Sequence, residues 1–386
     1  MVKNNNVLMI CPQFKPIVGG YERSADRLSS AIAKLGNKVV VVTERRSTEM
    51  AQIERSNGYT ISRLFCIYRP YIHTISSALS LTQFLLNHGR RFHVWHVHQF
   101  GISASIAIVL GKVLNRPVLL KLTNSGTKGI SSQFGGQLFG TIGKYLHQRI
   151  DACISISDET SLEAIKFGIP VSRIHLLPNG IDGSKYSYTD IARKQRLKKE
   201  LNIQTQNLII NVSILRKQKN HRLLIDAWGK LPAEMREKSV LAVVGDGPLL
   251  KQLIEYTELK KLSDSIYFMG QMSDVIPWYQ AADLYVISSD HEGLSNSMIE
   301  ALASGLPVIS TKVSGSSIIS TPIEAGILVD TENEYQLTTA MKSLISDTSK
   351  REIFSINARN IFETNFSIDT ISKRMHTLYN ETISGH

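Results

Sequence analysis

At 386 residues, 42% hydrophobic and 20% charged, the chain is a folded protein too long for one ordinary core, which favours two domains and excludes a disordered chain. No apolar run is long enough to span a bilayer, and the three scattered cysteines (Cys11, Cys66, Cys153) exclude a disulfide or zinc framework and suit a reducing cytoplasm. The net charge of +11 falls on residues 1–182, with 21 Lys/Arg against 10 Asp/Glu, while residues 183–386 carry 23 of each.

The predicted elements alternate strand and helix. Apolar, β-branched runs at 7–10, 38–43, 93–98, 118–122, 152–155 and 174–177 are separated by helix-length segments with 3.6-residue spacing. A polar, basic stretch at 183–201 reads as a linker plus helix. The alternation then restarts at 208–213, 240–244, 266–269, 284–287 and 307–310. Parallel strands need crossover helices of this kind. The expected fold class is therefore α/β, two Rossmann-like doubly wound domains facing a cleft, with ligands at the carboxyl ends of the strands.

The loop after the first strand lacks G-x-G-x-x-G, so the usual dinucleotide fingerprint is not supported. Its Gly19-Gly20 pair precedes a helix and lets backbone amides approach an anion, although an ordinary turn would read the same way. Residues 55–150 carry 11 basic side chains and no acidic one. Such a region is either a solvated surface or one that meets phosphates, and no nucleic-acid module accompanies it. His93, His96 and His98 lie in one strand without a carboxylate or cysteine beside them in the sequence, so they are not read as a metal site. His98, nearest the strand's carboxyl end, is a candidate for lining the cleft.

The strongest feature spans 283–311. A strand is followed by a polar loop carrying Glu292-Gly293, a helix from Asn296, and Gly305-Leu306-Pro307 before the next strand. Glu292 and Glu300 stand eight apart, one on the loop and one inside the helix. A helix carboxylate removed from water needs donors, and the 2′ and 3′ hydroxyls of a ribose supply two. The backbone amides from Gly293, Leu294, Ser295 and Asn296 onward suit a sugar or phosphate oxygen. A solvated loop and amphipathic helix would give the same local pattern.

With its neighbours, the segment resembles the E-x7-E region of retaining glycosyltransferases of family 4, which have the GT-B fold. Further matches follow in order along almost the whole chain: Gly19-Gly20-Tyr21-Glu22; Asp151-Ala152-Cys153-Ile154-Ser155-Ile156-Ser157; Pro178-Asn179-Gly180-Ile181-Asp182; Leu215-Arg216-Lys217-Gln218-Lys219-Asn220; Val244-Gly245-Asp246-Gly247-Pro248; and Gly326-Ile327-Leu328-Val329-Asp330. The resemblance implies an acceptor-side domain, 1–182, onto which a last helix in 365–386 packs back, and a nucleotide-sugar domain, 183–364. It implies that Glu300 holds the nucleotide ribose, Glu292 meets the donor sugar, and Arg216 and Lys219 neutralise the diphosphate. Gly19 and Gly20 would also contact the donor. No metal or other cofactor is expected, since two fixed cations can replace one and the chain has no Asp-x-Asp.

The chain departs from the family in two places. Ile214 stands where the family often has arginine, leaving Arg216 to substitute and Lys217 as a rival to Lys219. Thr123-Asn124-Ser125-Gly126 stands where a histidine often faces the donor, which makes Asn124 and Ser125 acceptor-side candidates beside His98. The expected reaction is retaining transfer of a sugar from a nucleotide diphosphate to a saccharide, lipid-linked at the inner face of the cell membrane, with the basic region docking on anionic lipid and no nucleic acid involved. The alternatives are a nucleotide-sugar 2-epimerase or hydrolase of the same fold, or a catalytically silent partner in polysaccharide assembly.

Overall fold

The structure is a computed structural model that describes residues 4–17, 20–70, 72–123, 144–186 and 191–386. The chain forms two compact units: Met1–Gly180 with Ile368–His386, and Ile181–Ser367. The division falls two or three residues from the sequence boundaries at 182/183 and 364/365. It does so because Ile181 pairs with Ser367 and donates its amide to Phe366 O at 2.9 Å, closing the second unit on itself.

The first unit holds an eight-stranded sheet in the order β3-β4-β2-β1-β5-β6-β7-β8. These strands are β1 (Asn6–Ile10), β2 (Lys38–Arg45), β3 (Ile53–Ser56), β4 (Tyr59–Phe65), β5 (Val94–His98), β6 (Val118–Lys121), β7 (Ala152–Ser155) and β8 (Ile174–Leu176). All pairings are parallel except β3 with β4. Helices cover both faces, so every second residue enters a different core. Val7 and Met9 pack with Leu119 and Ile154, while Leu8 and Ile10 pack with Trp95 and Leu120.

The last helix, Ile368–Ser384, belongs to this unit and lies against the helix Gly20–Lys34. Its Ile371, Met375, Leu378 and Tyr379 enter the core beside Val7 and Met9. Polar contacts fix its register: Asn5 donates to Asn380 at 2.7 Å, and the Tyr379 hydroxyl meets His96 Nδ1 at 2.7 Å.

The second unit is a six-stranded parallel sheet in the order β11-β10-β9-β12-β13-β14. Its strands are β9 (Asn207–Val212), β10 (Ser239–Val244), β11 (Ile266–Gly270), β12 (Leu284–Ile287), β13 (Val308–Thr311) and β14 (Gly326–Val329). β9 alternates between two cores, Leu208 and Ile210 on one face and Ile209 on the other. The β3–β4 hairpin and β14 are additions to the strands expected from the sequence.

Candidate active site

In the second unit the loops after β9, β10, β12 and β13 meet at the carboxyl end of the sheet. The β10 loop lies directly on the β9 loop because its glycines carry no side chain. A Cβ on Gly245 (φ +140°) would stand 2.0 Å from Ser213 O, and one on Gly247 would stand 2.5 Å from Leu215 O. The resulting backbone bonds run from Ser213 N to Val244 O at 3.0 Å and from Leu215 N to Asp246 O at 3.0 Å.

Past Leu215 the chain makes a single 3-10 turn, Lys217–Lys219, and stops at Asn220 in the left-handed region (φ 44°). Asn220 has two roles. Its Oδ1 caps the helix His221–Gly229 by accepting from Leu223 N at 3.3 Å, and its Nδ2 donates to Asp290 Oδ1 at 2.7 Å. Asp290 N donates to Gln218 O at 2.9 Å, and the Ser288 hydroxyl donates to Lys219 O at 3.0 Å. The β9 and β12 loops are thus bonded together along their length.

This clamp puts Lys219 against Glu292, where Nζ forms an ion pair with Oε1. The other carboxylate oxygen accepts from the Ser289 hydroxyl at 3.0 Å. Lys217 is exposed, so the turn settles which lysine faces the glutamate. Arg216 is exposed as well, with no partner for its guanidinium among the described residues.

The helix Asn296–Ala303 begins immediately after. Ser295 makes no side-chain cap and shares a 2.9 Å contact with the Ser297 hydroxyl instead, so no side-chain cap occupies the helix start that follows Gly293 and Leu294. Two buried tyrosines brace this turn: Tyr285 donates to Ser297 Oγ at 2.7 Å and Tyr279 to Ser297 O at 3.2 Å. Half-buried Glu300 lies one turn inside the helix, near both phenols. Burial, and then the charges around it including Glu300, hold the Tyr279 phenol far above its ordinary range. Tyr285 is likewise pushed up, first by burial. Behind the clamp, His221 Nε2 meets the Ser213 hydroxyl at 2.9 Å. Burial, helped by the Lys219 charge, pushes the imidazole down to about 4.

In the first unit, Gly20 opens the helix Gly20–Lys34, while Gly19, Asn124 and Ser125 lie outside the described residues. His98 ends β5, buried and stacked on His96 with ring centroids 4.4 Å apart. Burial, helped by the Lys121 charge, pushes both imidazoles well below their ordinary pKa. Across the strand pair His98 is in register with Lys121, a fully buried lysine whose pKa burial lowers to about 8. Lys121 in the first unit, and Tyr279, Tyr285 and Ser289 around the Glu292 loop of the second, are polar residues that motif reading did not single out. In the sequence the two tyrosines are indistinguishable from core aromatics, and the one available signal for Lys121 is a charge inside an apolar strand.

Two Rossmann-like α/β units, with Lys219 and Glu292 on the strand-end loops of the second and Glu300 on the helix that follows, fit a glycosyltransferase that uses a nucleotide-sugar donor. Residues 193–361 match the model for glycosyl transferases group 1, and residues 18–185 match that for glycosyltransferase family 4. The chain belongs to the family 4 glycosyltransferases of GT-B fold.

It is 22% identical to the N-acetyl-alpha-D-glucosaminyl L-malate synthase of Bacillus anthracis over 95% of each chain. It is 23% identical to the lipopolysaccharide core biosynthesis mannosyltransferase LpsB of Rhizobium meliloti over 98% of this chain and 99% of that one. Anabaena Alr3699/HepE, solved in complex with UDP, superposes with a TM-score of 0.77 at 19% identity, covering 99% of this chain and all of that one.

Proposed function

We propose that the chain transfers a sugar, with retention of anomeric configuration, from a nucleotide-diphosphate sugar to a saccharide carried at the inner, cytoplasmic face of the membrane. The observation that carries this reading is the Lys219–Glu292 pair held at the strand ends beside Glu300. Glu300 accepts from the ribose hydroxyls. Glu292 accepts from hydroxyls of the donor sugar. Arg216 and Lys219 neutralise the diphosphate as the bond from the anomeric carbon to its phosphate oxygen breaks. Gly293, Leu294, Ser295 and Asn296 offer backbone amides to the same group, and the family resemblance assigns Gly19 and Gly20 to donor binding as well.

As the family resemblance implies, the acceptor hydroxyl attacks from the leaving-group side, with Glu292 held to the sugar hydroxyls. Its proton passes to the departing phosphate oxygen. Two fixed cations supply the charge stabilisation, and the reaction needs no metal or other cofactor. His98, Asn124 and Ser125 are the acceptor-side candidates.

The membrane-borne acceptor rests on the charge distribution, +11 on residues 1–182 and none net on the rest. Each basic group near an anionic leaflet is worth about 1 kcal/mol, so a few suffice for peripheral attachment. LpsB, whose name places it in lipopolysaccharide core synthesis, is a full-length relative that fits this reading.

A thermal-shift screen of nucleoside diphosphates and nucleotide-sugars tests the donor. A true ligand at a hundredfold excess over its Kd raises stability by about 2.7 kcal/mol. Product analysis with and without acceptor separates transfer from epimerisation or hydrolysis, and no shift with any donor would sink the reading.

A further inference from the structure

Two helices of the first unit depart from the usual surface pattern. Ile72–His88 and Ile102–Leu114 pack on each other over the same core, burying Leu81 and Leu85 on one and Ala104, Ala107 and Ile108 on the other beneath them. A surface helix ordinarily turns a charged face to water. Here the outer stripes are apolar too. Ile75, Leu79 and Leu86 on the first helix and Ile102, Val109 and Val113 on the second are 43–67% exposed. Within each stripe the residues stand four and seven apart, one line along the helix, which exposed Gln83 interrupts between Leu79 and Leu86. The first helix contains no Lys, Arg, Asp or Glu, and the second contains only Lys112. Neither is long and apolar enough to cross a membrane.

Cations mark the ends of this face. Arg69 precedes the first helix, and exposed Arg90 and Arg91 follow it. Arg116 follows the second helix and donates to Arg90 O at 3.0 Å, tying the two ends together, while Lys112 beside it is paired with Asp151 at 3.1 Å. Residues 55–150, which contain the whole face, hold no acidic side chain.

We propose that these two helices lie flat on an anionic bilayer, with the six apolar side chains entering the acyl boundary and the arginines meeting lipid phosphates. This deepens the membrane-borne acceptor of the proposed function and rests on that reading. An apolar face with Arg69 at one end and Arg90, Arg91 and Arg116 at the other matches an anionic lipid surface in both respects. A second copy of the chain would match the apolar stripe but would bring the two cationic ends against each other. Electrostatic docking alone is lost as salt screens it, whereas inserted side chains keep their grip.

The experiment is co-sedimentation with phosphatidylethanolamine vesicles, with and without phosphatidylglycerol, at low salt and at roughly tenfold higher salt. The intact chain is expected to bind anionic vesicles at low salt and to retain part of that binding at high salt. Ile75→Asn with Leu79→Asn, both exposed and so compatible with folding, should lower partitioning about a hundredfold at either salt. Arg90→Gln with Arg91→Gln should weaken binding at low salt only. Unchanged binding of the Ile75/Leu79 variant, or complete loss of wild-type binding with salt, overturns the proposal. So does a lipid-free dimer that the Ile75/Leu79 variant converts to monomer. The donor thermal shift, run on the same variants, should equal wild type. Its absence in the intact chain would fell the transferase reading, while a shift without vesicle binding would fell the docking face alone.

Discussion

Glu292→Ala should make the empty protein less stable and yet bind nucleoside diphosphate more tightly. In the ligand-free chain the Lys219 ammonium is occupied by Glu292, with only 16% and 14% of the two side chains exposed. Removing one partner of a fully buried pair costs about 3–5 kcal/mol, because a desolvated charge is left behind. Lys219 keeps some water and a flexible stem, so about 1–2 kcal/mol is the reasonable loss in unfolding free energy. In the proposed reaction the same ammonium serves the diphosphate, which must displace the carboxylate to reach it. The variant removes that competitor, and the 1–2 kcal/mol reappears as roughly 5- to 30-fold tighter binding.

Transfer from the intact donor should fall, since the carboxylate contact to the sugar is worth about 1.5–3 kcal/mol. Calorimetric titration with nucleoside diphosphate, thermal unfolding and a transfer assay on one preparation read all three quantities. Weaker nucleoside diphosphate binding in Glu292→Ala would refute the reasoning, because it would put the carboxylate on the nucleotide and not on its competitor's side.

Glu300→Ala should weaken nucleoside diphosphate binding by about 1.5–3 kcal/mol while the fold survives, and unchanged calorimetric affinity would remove Glu300 from the ribose. Arg216→Ala should lower turnover about a hundredfold or more, while EDTA leaves the wild-type rate intact; activity lost to EDTA and restored by magnesium would contradict a metal-free leaving group. His221 supplies a pH test. Its folded pKa, about 4, lies below the ordinary 6.5, so the unfolded chain binds the extra proton first and stability is lost as pH falls from 6.5 toward 4. The loss attributable to this group is about 3 kcal/mol, and His221→Gln should flatten that part of a stability profile measured by chemical denaturation.

The strands most legible in the sequence are those buried on both faces. Leu208, Ile209 and Ile210 form an unbroken apolar run because helices cover each side of β9. The β3–β4 hairpin was missed for the opposite reason. It lies at the sheet edge, and along β4 Tyr59, Ile61 and Arg63 are buried while Thr60, Ser62 and Leu64 between them are only half-buried. Its one sequence signal is Asn57-Gly58, whose positive φ values of 45° and 85° make the tight turn.

At the site, the carboxylates and the Arg216–Asn220 segment could be found by motif because their chemistry depends on spacing. Lys217 and Lys219 could not be separated that way, since a 3-10 turn and an Asn220–Asp290 bond decide which one points at Glu292. Tyr279 and Tyr285 were hidden because a buried phenol that braces a helix start has the same local sequence as one that fills a core.

In the proposed reaction the Lys219–Glu292 pair lets a chain with a neutral second half handle a dianionic leaving group. Residues 183–386 carry equal numbers of acidic and basic groups, so their net charge supplies no attraction for the donor. What the site needs is a cation at one position, and a lone ammonium so nearly buried would be costly while the site is empty. Pairing it with Glu292 offsets that cost. The carboxylate of the pair is also the group proposed to read the sugar. When the diphosphate takes Lys219, the carboxylate loses its counter-ion and gains free lone pairs, just where donor hydroxyls would arrive. Phosphate binding and sugar recognition are then coupled through one exchange of partners. A free sugar meets a carboxylate already engaged, and a nucleotide-sugar meets one released by its own diphosphate.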